Sequence, residues 1–165
     1  MHNSEKGIMT DRGVVEVSRR LAATPETVFP YFTDAPRYVA WMGRDATLEP
    51  APGGVYRVQM GDGFAASGTF LAVDPPHRLV FTWGWAQGAG QRVLSGPQQD
   101  DALPPGSTRV VVTLDEDDDG ACLTLRHHDL PTDELRAGHR VAWETYLDRL
   151  GIRVAGGDPG PDPHA

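Results

Sequence analysis

Two of the six histidines, a set of indole and phenol rings and the single cysteine are the residues of this chain placed where their types could carry chemistry. His127 and His139 come first, because imidazole is the side chain whose charge changes near neutral pH. Three roles are open to them: structural rings bonded to nearby carbonyls or carboxylates, polar contacts to a ligand, or general acid and base. Nucleophilic catalysis needs a nucleophile with a base in reach, and no such arrangement is visible in the sequence, so no catalytic residue is assigned. Metal binding is weaker still. The histidines form no H-x-x-x-H pair, and Cys122 alone is too few for a thiolate site. Nothing cationic stands beside Cys122 to lower its pKa, so it reads as inert.

Two other stretches resemble binding motifs and fail on inspection. Asp115-Glu116-Asp117-Asp118-Asp119-Gly120 contains D-x-D-x-D-G, the opening half of a calcium loop. Arg126 stands where the bidentate glutamate is required, and a strand pattern follows instead of a helix, so this is a solvated hairpin turn. Gly53-Gly54 lacks the lysine and the following helix of a phosphate loop and reads as a turn into a strand. No cofactor is called for.

The rings are more informative together than singly. Trp41, Tyr56, Phe70, Phe81, Trp83, Trp85, Trp143 and Tyr146 all fall on or near the inward parity of predicted elements. Any one of them could simply fill a core. As a set they have the composition of a small-molecule pocket, apolar walls with a few placed polar groups. A cavity lined by Tyr56, Trp83, Trp143 and Tyr146 is the preferred reading. Val58, Met60, Leu125 and Leu147 share its walls, and His127 and His139 orient the ligand with the two tyrosines.

The elements that must position these residues are set by periodicity. Val14 to Leu21 alternates as a strand. Thr24-Pro25-Glu26 starts a helix, with a hydroxyl cap, a proline in the first turn and an acid at the positive dipole end. Pro30 and Pro36 interrupt the helical stretch after that cap, which predicts two short helices, about Pro25–Thr33 and Pro36–Trp41. From Ala46 to His127 the period is two, with turns at Gly61–Gly63, Asp74–Pro76 and Asp115–Gly120. One face of each strand is apolar, the signature of an antiparallel sheet with one buried side. Asp133 to Leu150 carries Leu135, His139, Ala142, Trp143, Tyr146, Leu147 and Leu150 at spacings of three and four. Glu134, Arg136, Arg140, Glu144, Asp148 and Arg149 are assigned to the other side, and Gly151 is a natural stop.

Composition sets the outer limits. The chain has 165 residues, 39% hydrophobic and 23% charged, an ordinary globular balance for one domain. Its net charge of −8 argues against nucleic acid as a partner, which needs a cationic face. No apolar run is long enough to cross a membrane, and no leader segment is recognisable. With a single cysteine this suits a reducing compartment, so a cytoplasmic location is expected. Residues 1–12 and 152–165 read as disordered tails, the second for its Gly and Pro content, around one domain at 13–151.

The order of strand, two short helices, six-strand meander and long helix resembles the helix-grip fold of the START-like, SRPBCC superfamily. Within it the chain is most similar to the branch named for the activator of the heat shock protein 90 ATPase. The residues that carry the likeness are Val28 to Asp34, Tyr38–Trp41, Pro52-Gly53-Gly54, Gly68, and Pro75-Pro76 through Thr82-Trp83. Pro105 to Thr108 leading into Val110–Leu114, Leu123 to His127, and His139 with Trp143 and Tyr146-Leu147 complete it. The resemblance implies an α+β fold, a curved seven-stranded antiparallel sheet wrapped around the C-terminal helix, with a deep apolar cavity between them. It implies a small hydrophobic molecule as partner; with no nucleophile and base in view, the leading reading is a binder that does not turn it over, as a monomer or homodimer. The alternatives it leaves are a chaperone-interacting ATPase activator, or a cyclase or hydrolase using the histidines. Between Trp85 and Pro105 the chain is longer than a hairpin needs, which predicts a lid or a disordered connection.

Overall fold

The computed structural model describes residues 13–61, 64–87 and 103–163. The N-terminal tail at 1–12 and the greater part of the expected lid lie outside the described residues. Strand β1 (Val15–Leu21) is followed by three single-turn helices, α1 (Pro25–Val28), α2 (Pro30–Thr33) and α3 (Ala35–Tyr38). Then come β2 (Asp45–Leu48), β3 (Val55–Gly61), β4 (Phe64–Asp74), β5 (Arg78–Trp83), β6 (Trp85–Gln87), β7 (Thr108–Asp117), β8 (Gly120–His128) and the long helix α4 (Asp133–Val154). The sheet is antiparallel in the order β1-β8-β7-β5-β4-β3-β2, and the short β6 pairs with the first half of β4. Seven strands on one path, short helices after the first strand and a long terminal helix match the architecture read from the sequence.

Local chemistry accounts for the boundaries. The Thr24 side chain accepts from the Thr27 amide at 3.3 Å, and Pro25 needs no amide partner in the first turn. The first expected helix divides at Phe29, where Pro30 supplies no donor to continue the ladder. Thr132 caps α4 by accepting from the Leu135 amide at 3.1 Å, with Asp133 and Glu134 in the first turn. The acidic turn is a hairpin, with Asp117 paired to Gly120 and Asp118 in the left-handed region at φ 54°. Among the described residues no helix is long and apolar enough to cross a membrane.

Two glycines let backbones meet. At Gly68 on β4 an added Cβ would lie 2.0 Å from the carbonyl oxygen of Thr82 on β5. At Gly84, between β5 and β6, it would lie 1.8 Å from the Pro104 oxygen. There Ser67 N donates to Gly84 O at 2.9 Å and Trp85 N to Leu103 O at 2.8 Å, so the chain turns from β5 into β6 against the 103–105 segment. That bend aims Trp83 and Trp85 into one neighbourhood. On the outer side of β1, Arg140 Nη1 donates to Glu16 O at 3.0 Å and Arg19 Nη1 to Ser18 O at 2.9 Å.

The end of the chain departs from expectation. Helix α4 runs three residues past Gly151 to Val154, and residues 155–163 fold back on its C-terminal half instead of trailing away as a disordered tail. The reason is Arg149. Assigned to the outer face by its spacing, it is 9% exposed, and it bonds to the carbonyls of Pro159, Gly160 and Pro161. A Gly/Pro segment has little apolar surface to bury, but its carbonyls are rich acceptors for a guanidinium.

Opposite outcomes are expected for alanine at two glycines. Gly68→Ala should lose about 1–3 kcal/mol by forcing β4 and β5 apart. Gly138→Ala, in an exposed turn of α4 where an added Cβ meets nothing within 4 Å, should gain about 0.8–1.0 kcal/mol. Urea denaturation midpoints of the two variants check both signs.

Candidate functional site

The space between sheet and helix is occupied by the rings themselves. Tyr56 on β3 stacks on Phe81 at 4.1 Å between centroids, and touches Phe70 at 5.7 Å and Trp83 at 6.1 Å. Trp83 in turn meets Trp143 of α4 at 5.1 Å and Trp85 at 5.3 Å. Tyr56, Phe70 and Phe81 are fully buried, and Val58, Met60, Leu125 and Leu147 belong to the same cluster. Trp41 stacks on Tyr38 at 5.0 Å and donates from Nε1 to Tyr31 O at 3.0 Å. The residues picked out from the sequence are therefore neighbours, but through this stretch they contact one another. A surface pocket of about 280 Å³ lies elsewhere, between Gly13, Val15, Arg136 and Arg140.

One polar filament crosses this apolar layer, and its proton positions are dictated by chemistry. An indole nitrogen can only donate, so Trp143 Nε1 gives its proton to His127 Nδ1 at 3.0 Å. Thr108 Oγ1 lies 2.7 Å from the Trp83 carbonyl and must donate to it. The threonine oxygen therefore accepts from His127 Nε2 at 2.8 Å. His127 is fixed as the neutral Nε2-protonated tautomer, with both ring nitrogens taken by the protein. Burial pushes its pKa well below the ordinary value, with His139 and then His128 adding repulsion. The ligand-orienting role read for His127 has no free atom to perform it. Helix, β8, β7 and β5 are joined through this one ring.

His139 differs. Its Nδ1 lies 2.9 Å from the Leu135 carbonyl, so Nδ1 carries the proton and Nε2 is left as an acceptor. Burial lowers its pKa too, outweighing the opposing backbone bond. Among the described residues, two buried polar atoms in this neighbourhood have no hydrogen-bond partner: His139 Nε2 and Trp83 Nε1. Their rings share Trp85, which is 5.3 Å from Trp83 and 6.2 Å from His139. They also share His127, 5.7 Å from Trp83 and 5.3 Å from His139. Trp85 and His139 are only half-buried, whereas the Tyr56–Phe81 end is sealed. The arrangement offers one donor and one acceptor on two rings that both pack against the half-buried Trp85.

The opposite end of the interior holds a second polar group. Tyr38 and Tyr56 share a short hydrogen bond between hydroxyls, and Tyr38 also donates weakly to Met42 Sδ at 3.7 Å. Burial raises the pKa of both phenols, so they remain protonated. The Tyr146 hydroxyl donates to Asp162 Oδ1 at 2.7 Å, and Gly43 N donates to Asp162 Oδ2 at 2.7 Å. Tyr38, Thr108, Arg149 and Asp162 were not singled out from the sequence. Tyr38 lay in the quoted Tyr38–Trp41 stretch, and Thr108 opens a strand whose partner could be guessed. Nothing in local pattern announces that Asp162 returns to the helix.

Comparison with known proteins places the fold. Residues 22–155 match the family described as Activator of Hsp90 ATPase homolog 1-like protein. The chain belongs to this family. The AHSA1-like protein from Rhizobium etli is 41% identical, with 92% of this chain and 88% of that one covered at a TM-score of 0.66. CalU16 from Micromonospora echinospora is 26% identical over 90% of this chain and 77% of its own, also at 0.66. DynU16, a protein of the dynemicin biosynthetic locus, shares the fold at a TM-score of 0.70 and 23% identity over 89% of this chain. This chain spans about half of DynU16, 49% of its length. No curated protein matches the chain. As a member of the family, this chain presents the helix-grip architecture with a neutral histidine locked at its centre.

That histidine makes stability depend on pH. Both His127 and His139 have native pKa values below the unfolded value of about 6.5, so the unfolded chain binds more protons and stability falls as pH drops below that value. Between pH 7.5 and 5.5 the unfolding free energy should decline, approaching about 1.4 kcal/mol per pH unit for each residue. His139→Phe should flatten the slope by up to half. Urea titrations at five pH values test it, above the carboxylate range.

Proposed function

We propose that this protein binds a small hydrophobic molecule between the sheet and α4, without turning it over, at the Trp83–Trp85–His139 end of the interior. The observation that carries the reading is the pair of buried, unpartnered atoms, Trp83 Nε1 and His139 Nε2. A buried polar group left without a partner costs about 1–3 kcal/mol, and a native interior rarely keeps one without a use for it. Their chemistry is complementary, an N–H donor and an imidazole acceptor. A ligand hydroxyl presents both matching functions, and its apolar body would lie against Trp85 and Trp143. Half-burial of Trp85 and His139 marks this end as the entry, because the Tyr56–Phe81 end is closed by stacked rings.

A second reading, acid–base chemistry on a bound molecule, draws on His139 alone. Burial keeps its imidazole neutral at pH 7 and leaves the Nε2 lone pair directed at whatever enters. His127 adds nothing to it, since both its nitrogens are committed. A lone base without an opposing acid favours binding over turnover.

2-Naphthol and naphthalene distinguish the polar contribution from simple burial. Calorimetric titration should give 2-naphthol an affinity about tenfold higher, the worth of one good hydrogen-bonded pair. His139→Leu should remove that preference while keeping the apolar affinity, and Trp143→Ala should weaken both probes. If neither compound binds the folded wild-type protein at millimolar concentration, the proposal fails.

A further inference from the structure

We propose that the Gly43 amide and the Tyr146 hydroxyl form a carboxylate-binding site, which the chain keeps filled with its own Asp162 while Arg149 holds the carbonyls just before it. The two carboxylate oxygens have separate donors, Gly43 N to Oδ2 and the Tyr146 hydroxyl to Oδ1, each at 2.7 Å. The donors belong to the folded body and the acceptor to a segment beyond the helix, so the site and its occupant are separable. This site does not depend on the reading of the Trp83–His139 end, and the two can fail independently.

The donors are built in. Tyr146 is 2% exposed, and burial raises its pKa, so the phenol keeps the proton it donates. Gly43 has φ +80°, and an added Cβ would stand 2.5 Å from Val58 Cγ1 and 2.9 Å from Gln59 O. Only glycine presents its amide at that place without a clash. Arg149 is anchored by Nε to Trp41 O at 2.9 Å, tying α4 to the turn that carries Gly43. Its remaining nitrogens hold Pro159 O at 3.2 Å, Gly160 O at 3.0 Å and Pro161 O at 3.0 Å. Residues 159–161 lie in neither helix nor sheet, so these carbonyls have no ladder partner and suit a guanidinium.

The occupant is tethered through Gly156 and Gly157, and a short tether gives its carboxylate an effective concentration on the order of millimolar. A free carboxylic acid therefore competes poorly with the intact chain and well once the aspartate is gone. The same donors would accept the carboxylate of a small acid or of an acidic residue in an extended peptide. In either case the 158–162 segment would have to leave, uncovering the Tyr146 hydroxyl and the Gly43 amide. The segment is a self-supplied competitor for this site.

Chemical rescue in the full-length chain tests the proposal. In Asp162→Ala the Gly43 amide resonance should move and exchange faster with deuterium. Acetate at tens of millimolar should return it toward its wild-type position, at least about tenfold more effectively than it perturbs the wild-type protein. Acetamide should not. Adding Tyr146→Phe should weaken the acetate response about tenfold while circular dichroism stays unchanged. A blocked peptide with the sequence of residues 158–162 forms the second arm. Rescue by acetate assigns the site to free acids, and rescue by the peptide alone assigns it to acidic segments. If neither probe moves the Gly43 resonance of folded Asp162→Ala, the site is no more than an anchor for the chain's own end and the proposal is overturned.

Discussion

A polar group taken out of water must find a partner, and in this protein that requirement joins helix to sheet through a single imidazole. Trp143 donates to His127, His127 to Thr108 and Thr108 to the main chain of Trp83. Each step has only one direction open to it, so the filament fixes a tautomer as well as a distance. Apolar contacts alone would let α4 slide or rotate over the sheet at modest cost, since burial is not directional. The filament removes that freedom, and the ring stack from Tyr56 through Phe81 and Trp83 to Trp143 packs around it. Arg140 through Glu16 O and Arg149 through Trp41 O tie the same helix on either side of this link.

Much of this was legible before any coordinates. Alternation along Val14–Leu21 and from Tyr56 to His127, with the three-and-four spacing on α4, reports which face each residue turns to the core, and periodicity is the physical basis of that report. The fourteen side chains read as lining a ligand cavity sit in or against the core, where the rings contact one another. What the sequence could not disclose is the difference between lining a space and filling it, because ring-to-ring distances depend on strand curvature and on bends such as Gly84. Nor could it separate His127 from His139. The two share inward parity, and only the long-range meeting with Thr108 and Trp143 makes one a fixed strut and leaves the other with an open nitrogen.

Arg149 and the final segment show where pattern reading has its limit. A charged residue near the end of an amphipathic helix is normally solvated, and a stretch of Gly and Pro normally cannot pack. Each expectation is sound alone. Together they reverse, because a buried guanidinium needs acceptors and a proline-rich backbone supplies them without competing donors. Such mutual rescue between two individually unfavourable elements, separated by ten residues, leaves no periodic trace.

The first strand has a consequence for how the molecule behaves when crowded with its own copies. β1 lies at the margin of the sheet, and a bare margin is a template on which a foreign strand can continue the ladder. Here the outward carbonyls of Glu16 and Ser18 are already engaged by the guanidinium groups of Arg140 and Arg19. A newcomer would have to displace both cations to bond these two carbonyls. The arginines thus act as a guard rail against runaway polymerisation, a safeguard that costs the fold nothing in its interior.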